Sequence, residues 1–329
     1  MMNAAVAEKA KQPWVVKKIP TPKAGPGQVL VQMKASGVCY TDIHQTEGDL
    51  GDIFPRVLGH EPVGEIVEVG AGVKHRKSGD RVGVLAFQDS CGRCEFCERD
   101  KGIFCNDVVY TSFQKDGGHA EFVVAEADET ILLPETLPYE YAAPLLCAGN
   151  TVWSGIRWAN PSPGQRIAVV GIGGLGHLAV QYSKAAGFTT IAVSRSPQKD
   201  AMIREFGADL IVRDGKQLAA EGGADIILAT TNSSEAMADS MIGLRPDGKL
   251  MLIGFDTKQM PIDPGQFIFK RYQVIGSQQN TREHFYEQLQ IAGSGKVKPM
   301  IETYPLNAAL KAYDRVASGE VRFRAVLLP

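Results

Sequence analysis

The stretch "VVGIGGLGHLAVQ", residues 169–181, constrains the fold more than any other part of this chain. β-forming residues run into Gly171, Gly173 and Gly176 in the spacing G-x-G-x-x-G, and a helical pattern begins at the third glycine. Such a turn lets the backbone approach a pyrophosphate closely while the helix N-terminus receives its charge. Gly174 and Leu175 complete the same candidate cofactor loop. Helix–sheet packing without a ligand would explain Gly176 but not Gly171 or Gly173. Downstream, "TTIAV", "SPQKDAMIREFGA", "DLIV", "ADIILAT" and "KLMLIGF" alternate short apolar runs with helical segments. That alternation predicts βαβ units and a parallel sheet.

At the end of the strand after the glycine loop, in "TTIAVSRSPQK", an NAD-binding chain would carry an acid for the ribose 2′-hydroxyl. Ser194 stands there instead, followed by Arg195, Ser196 and Lys199. These supply donors and positive charge for a 2′-phosphate and no carboxylate to repel it, so NADP(H) is expected. The alternative is that Arg195 and Lys199 are only the solvated start of a helix, with Ser196 as its cap, Pro197 as its first residue and Gly207 as its stop.

Before Pro163 the pattern changes. "GQVLVQMKASGV", "PVGEIVEVG", "DRVGVLAF" and "HAEFVVA" are β-like runs broken by Gly and Pro, and they predict a twisted or barrel-like β domain. With 329 residues, two domains can each build a core without disulfide staples. The balance of 35 Lys and Arg against 37 Asp and Glu gives no electrostatic case for nucleic acid or an anionic membrane. A small-molecule partner is expected. "MMNAAVAEKAKQPWVV" lacks the apolar run of a signal peptide, and no window reaches the ~18 apolar residues of a membrane span, so a cytoplasmic location is expected. In a reducing compartment, clustered thiols are more often metal ligands or redox centres than disulfides.

Four of the six cysteines lie in "CGRCEFCERDKGIFC". Cys91, Cys94, Cys97 and Cys105 can complete a tetrahedral zinc shell with no position left for substrate. The charged residues between them, among them Arg93, Glu95, Glu98, Arg99, Asp100 and Lys101, make a poor core, so metal is the expected organiser. A thiol redox switch is the competing reading, though C-x-x-C redox pairs generally sit beside a βαβ pattern. The other two cysteines are Cys39 in "GVCYTDIH" and Cys147 in "PLLCAGNTVW"; between them "LGHEPVG" holds His60 and Glu61. Two thiolates and one imidazole are the ligand count of a catalytic zinc with an open fourth position. By spacing alone, however, a lone cysteine serves as well as a small hydrophobe and a lone histidine as a structural residue.

Taken in order, "GVCYTDIHQTEGD", "GHEPVGEIVEVG", "GDRVGV", the four-cysteine stretch, "LLCAGNTVW" and "GIGGLGHLAVQ" closely resemble the zinc-dependent medium-chain alcohol dehydrogenases, in particular their yeast-like, NADP-dependent aldehyde reductase branch. The resemblance implies an α/β fold: a Rossmann doubly wound parallel sheet in residues 154–289, inserted into a β-rich GroES-like catalytic domain of residues 1–153 and 290–329, with the active site in the cleft between them. It implies two zinc ions per chain, a catalytic one on Cys39, His60 and Cys147 and a structural one on the four clustered cysteines. Glu61 is implied to lie close behind the catalytic metal as an auxiliary ligand or an electrostatic tuner of ligand exchange, and Asp42 to hydrogen-bond His60 and fix its tautomer. Thr41 and His44 match a proton relay, implied to run from the substrate hydroxyl to Thr41, through the cofactor ribose, to His44 near solvent. Thr151 matches a residue lying against the nicotinamide, and Arg324 one that contacts the cofactor phosphates. Tyr40 stands where many relatives have a basic phosphate contact. Leu50 and Phe87, joined by Tyr110, match an apolar slot for primary alcohols and aldehydes, with ordinary core packing as the alternative. His75, His119, His177 and His284 are expected to be structural or surface residues, with a cofactor contact open to His177. The implied activity is hydride transfer between NADP(H) and a primary alcohol or aldehyde by a homodimer or homotetramer. A polyol or secondary-alcohol dehydrogenase of the same fold, and a noncatalytic NADP- or zinc-binding protein, are the alternatives.

Overall fold

The computed structural model describes residues 1–278 and 281–329. The chain divides into two compact units, Met1–Cys147 with Pro299–Pro329, and Ala148–Lys298. The inserted unit is slightly larger than the sequence boundaries of 154–289 suggest, because two flanking helices belong to it whole. Ala148–Ala159 packs against Arg282–Gly293. Trp153 Nε1 donates to Glu287 Oε2 at 2.8 Å, and Ser154 Oγ lies 3.0 Å from His284 Nδ1.

In the first unit the strand Gln28–Val38 is the spine. Val29, Val31 and Met33 alternate onto one face and pack with Ile66, Val82, Val84 and Val123. Along one edge the strand pairs antiparallel with Glu61–Val69; along the other it pairs with Phe122–Glu126 at its start and Arg324–Leu328 at its end. Arg81–Val84, Thr130–Leu132 and Ile301–Pro305 complete a seven-stranded sheet. The C-terminal tail thus belongs to this unit, and its helix Ala309–Ala317 buries Ala309, Ala312 and Val316 from one face. Register decides what meets at the end of the sheet. Gly37 lies opposite Glu61 and Ala325 opposite Val38, so the ends of three adjacent strands gather Cys39, His60, Glu61 and Arg324.

The second unit is a six-stranded parallel sheet in the order Leu210–Val212, Thr189–Val193, Arg166–Val170, Ala224–Ala229, Leu244–Leu252, Gln273–Gly276. This is the Rossmann order, and the strand order reverses beside Arg166–Val170, where the glycine loop emerges. One local expectation fails. Pro197–Lys199 form a separate 3₁₀ turn before the helix Asp200–Glu205, and the Ser196 side chain makes no capping bond. Gly207, at φ +102°, does terminate that helix.

Candidate metal centres and dinucleotide loop

Cys39, His60, Glu61 and Cys147 each offer a ligand atom within 4.8 Å of the others. Cys39 leaves the spine strand and caps the helix Tyr40–Glu47, whose third residue is Asp42. The fully buried Asp42 carboxylate accepts the Cys39 N–H at 2.8 Å on Oδ2 and the Gly59 N–H at 3.1 Å on Oδ1. One side chain therefore pins both backbone segments that carry Cys39 and His60. Asp42 Oδ1 also stands 3.6 Å from His60 Nδ1, so the carboxylate implied to orient that ring faces it just beyond hydrogen-bonding distance. The turn before His60 rests on His119. A Cβ at Gly59 would lie 2.4 Å from His119 Nδ1. Burial holds the His119 pKa down to about 4, so the ring is neutral, 2.9 Å from Ser36 Oγ and packed on Trp14 with centroids 5.1 Å apart. Cys147 follows the fully buried 3₁₀ turn Ala143–Leu146, in which Leu146 occupies the space a side chain at Gly83 would need.

The donor set fits zinc. His60 is buried, and neither ring nitrogen has a hydrogen-bond partner among the described residues, an arrangement that is costly unless something binds there. The sulfurs of Cys39 and Cys147 lie 3.9 Å apart. Their mutual hydrogen bond holds the Cys39 thiol well below its ordinary range, against burial, while the same contact together with burial pushes Cys147 up. Burial opposes a charged His60, but the Asp42 carboxylate and the Cys39 sulfur together outweigh it and raise the imidazole well above its ordinary value. Two sulfurs sharing negative charge beside an unsatisfied imidazole suit a divalent ion that takes S and N donors.

Glu61 lies across Gly37, where a Cβ would come within 1.8 Å of Glu61 Oε2. Burial raises its pKa to about 7, opposed by Arg324, whose Nη2 donates to Glu61 Oε1. Arg324, implied to touch cofactor phosphates, is 5 % exposed and engaged within the first unit. Gly37→Ala should displace Glu61 and cost about 1–3 kcal/mol as an overpacking change, lowering melting temperature and zinc content together. If neither changes, Gly37 is not there for Glu61.

Thr41 Oγ1 is 3.8 Å from Cys39 Sγ. His44, three residues on along the same helix, is a quarter exposed, with Nδ1 2.9 Å from Asp49 Oδ2 and its ring edge-on to the exposed Tyr40. Phe87 and Tyr110 meet edge to face at 6.4 Å, and Tyr110 donates its hydroxyl to the Ile103 carbonyl at 3.2 Å. Both rings thus rest on the four-cysteine lobe, while Leu50 is exposed.

The thiols of Cys91, Cys94, Cys97 and Cys105 also lie within 4.8 Å of one another, and none is in a disulfide. The turns Cys97–Arg99 and Gly102–Phe104 bury no residue at all. Donors converge on the sulfurs instead: the Ser90 hydroxyl holds Cys97 down to about 6, and the Asp107 N–H donates to Cys105 Sγ at 3.3 Å. A closed S4 shell with N–H and O–H donors around it fits a structural zinc.

In the second unit, Gly171 has φ +88° and packs so that a Cβ would meet Thr231 at 2.7 Å; one at Gly176 would lie 2.0 Å from the Gly171 carbonyl. Gly173 faces open space, which leaves room for a phosphate. The helix Gly176–Ala185 has no side-chain cap. Thr230 Oγ1 donates to the Gly171 carbonyl at 2.7 Å, and His177 Nδ1 is 3.0 Å from that of Gly173, so His177 braces the loop. Ser194 and Ser196 follow the next strand, and their loop returns to the glycine loop where Lys199 Nζ donates to the Ile172 carbonyl at 3.1 Å. Arg195 is exposed and has no partner among the described residues. Thr151 is half-buried on the helix Ala148–Ala159. His119 and Arg213 are contributors whose roles nothing in the sequence pattern signals.

Comparison with known proteins agrees with this geometry. Residues 25–135 match the family model for the alcohol dehydrogenase GroES-like domain, and residues 174–294 that for zinc-binding dehydrogenase. An alcohol dehydrogenase of Geobacillus stearothermophilus is 38% identical over 334 residues, covering 99% of both chains. A cinnamyl alcohol dehydrogenase from Sorghum bicolor is 31% identical with TM-score 0.91 over 99% of this chain and 97% of that one. A protein called CAD from Helicobacter pylori, solved with NADP(H), is 28% identical with TM-score 0.89 over 99% and 97%. The chain belongs to the zinc-type medium-chain alcohol dehydrogenase family.

Proposed function

We propose that this alcohol dehydrogenase transfers hydride between NADP(H) and a primary alcohol or aldehyde. The observation that carries the cofactor assignment is the exposed guanidinium of Arg195, without a partner among the described residues, beside Ser194 at a strand end whose sequence places no carboxylate there. Cys39, His60 and Cys147 would hold the catalytic zinc. When bound, zinc lowers the pKa of a substrate hydroxyl or polarises a carbonyl, and the nicotinamide takes or supplies the hydride. Asp42 keeps the ligand-bearing segments in place through its two backbone bonds. Thr41, close to Cys39, would exchange a proton with the substrate oxygen, and the part-exposed His44 would pass it to water. Phe87 and Tyr110 would supply an apolar wall without a charged anchor, which suits simple aldehydes better than polyols.

The test is steady-state kinetics with NADPH and NADH on a panel of aldehydes, simple alcohols and polyols, with metal content measured on the same sample. NADPH should be preferred, with aldehydes turned over readily. A clear NADH preference would sink the cofactor assignment. Strong turnover of sorbitol-like substrates would sink the substrate assignment, and inactivity of zinc-replete protein would favour a binding role.

A further inference from the structure

Arg213 directly follows the strand Leu210–Val212 and reaches back to the loop that would select the cofactor. Its Nη1 donates to the Ser194 carbonyl at 2.9 Å and to Asp200 Oδ1 at 2.8 Å, and its Nη2 donates to Asp200 Oδ2 at 2.5 Å. Ser194 and Asp200 are the two ends of the loop carrying Arg195, Ser196 and Lys199. A planar guanidinium, bidentate on one end and bonded to the other, closes that loop as a clasp, which a lysine's point charge could not do with the same geometry. Arg213 is itself held. Gln217 Oε1 accepts its backbone N–H at 2.8 Å, and Asp214 Oδ1 accepts that of Gln217 at 2.8 Å.

The three cations here are sorted by their partners. Asp200 neutralises Arg213, the Ile172 carbonyl tethers Lys199 to the glycine loop, and Arg195 is left exposed. We infer that Arg213 is a positioning residue for recognition of the 2′-phosphate: by clasping Ser194 to Asp200 it presents Arg195, Ser194 and Ser196 in one fixed geometry without touching the phosphate itself. Without the clasp, the loop would have to be ordered at each binding event, and that entropy is subtracted from affinity. The inference rests on the NADP(H) assignment above.

The test compares KM for NADPH and NADH in the intact enzyme and in Arg213→Gln, Arg213→Lys and Asp200→Asn, with melting temperatures to confirm folding. Asp200→Asn separates geometry from charge, because it opens the clasp while leaving the Arg213 charge unneutralised. Both Arg213→Gln and Asp200→Asn should raise the ratio of KM for NADPH to KM for NADH about tenfold, the weight of one charge-assisted hydrogen bond. Arg213→Lys should fall between them and the native enzyme. Should Arg213→Gln fail to fold, Asp200→Asn carries the test. A tighter KM for NADPH in Asp200→Asn would make Arg213 a direct phosphate ligand and overturn the inference, as would an unchanged ratio in the variants. A native enzyme indifferent to the 2′-phosphate would overturn the NADP(H) assignment and the inference with it, a result read without any variant.

Discussion

If each cysteine-containing ligand set holds one zinc ion, as proposed, Cys105→Ser is expected to lose one of the two and to lower the melting temperature sharply. Structural zinc contributes on the order of 10 kcal/mol to the segment it folds. The lobe has little else to hold it: its two 3₁₀ turns bury no residue, and the ring contact of Phe96 with Phe104, at 6.2 Å, is made by a Phe104 that is half exposed. Cys105 is the one buried thiol of the four, so its loss removes both a ligand and the lobe's only cysteine anchored in the interior. The effect should spread to Phe87 and Tyr110, because the Tyr110 hydroxyl bonds the Ile103 carbonyl and the Phe87 ring lies against Gly102. Turnover per correctly folded molecule should therefore fall less than stability does, with any residual defect appearing in KM for the aldehyde. Metal analysis and thermal melting on the same preparation decide the matter. A Cys105→Ser protein that keeps both ions and its melting temperature would refute a bracing role.

The contrast between the two cysteine sets shows how far sequence reaches. A ligand set packed into one loop announces itself by spacing, as the four-cysteine stretch does. Cys39, His60 and Cys147 are brought together by strand register and by a buried 3₁₀ turn, and only the flanking motifs, read as a family pattern, connected them. The glycine loop was legible because each glycine meets a local steric demand, at Gly171 and Gly176 most tightly. Polar pairings across elements were not. The bonds of Asp42 to Cys39 and Gly59, the support of Gly59 by His119, and the Arg213–Asp200 clasp all depend on which side chains face one another after folding. The domain boundaries shifted for a similar reason: Ala148–Ala159 directly follows the ligand Cys147, yet its packing partners lie in the other unit.

Arg324 is the sharpest instance, since a C-terminal arginine implied to bind cofactor is found paired with Glu61, one of the four candidate metal-binding residues. Arg324→Leu should cost about 3–5 kcal/mol, the penalty for leaving one partner of a buried ion pair uncompensated. The pair is suited to such a loss: Glu61 is fully buried, its Oε2 has no hydrogen-bond partner among the described residues, and the carboxylate lies in the space that a side chain at Gly37 would take. The double variant Glu61→Gln/Arg324→Leu removes both charges and should recover most of that stability, giving a large favourable coupling in a double-mutant cycle. Chemical denaturation is the right readout, because activity would mix this effect with any contact Arg324 makes to cofactor. Zinc affinity measured alongside separates the remaining possibilities. If Arg324 acts by restraining Glu61, Arg324→Leu alone should alter metal affinity and the double variant should restore it. Additive stability losses in the two single variants would mean the pair is incidental, and Arg324 would then be kept for what it binds rather than for what it holds.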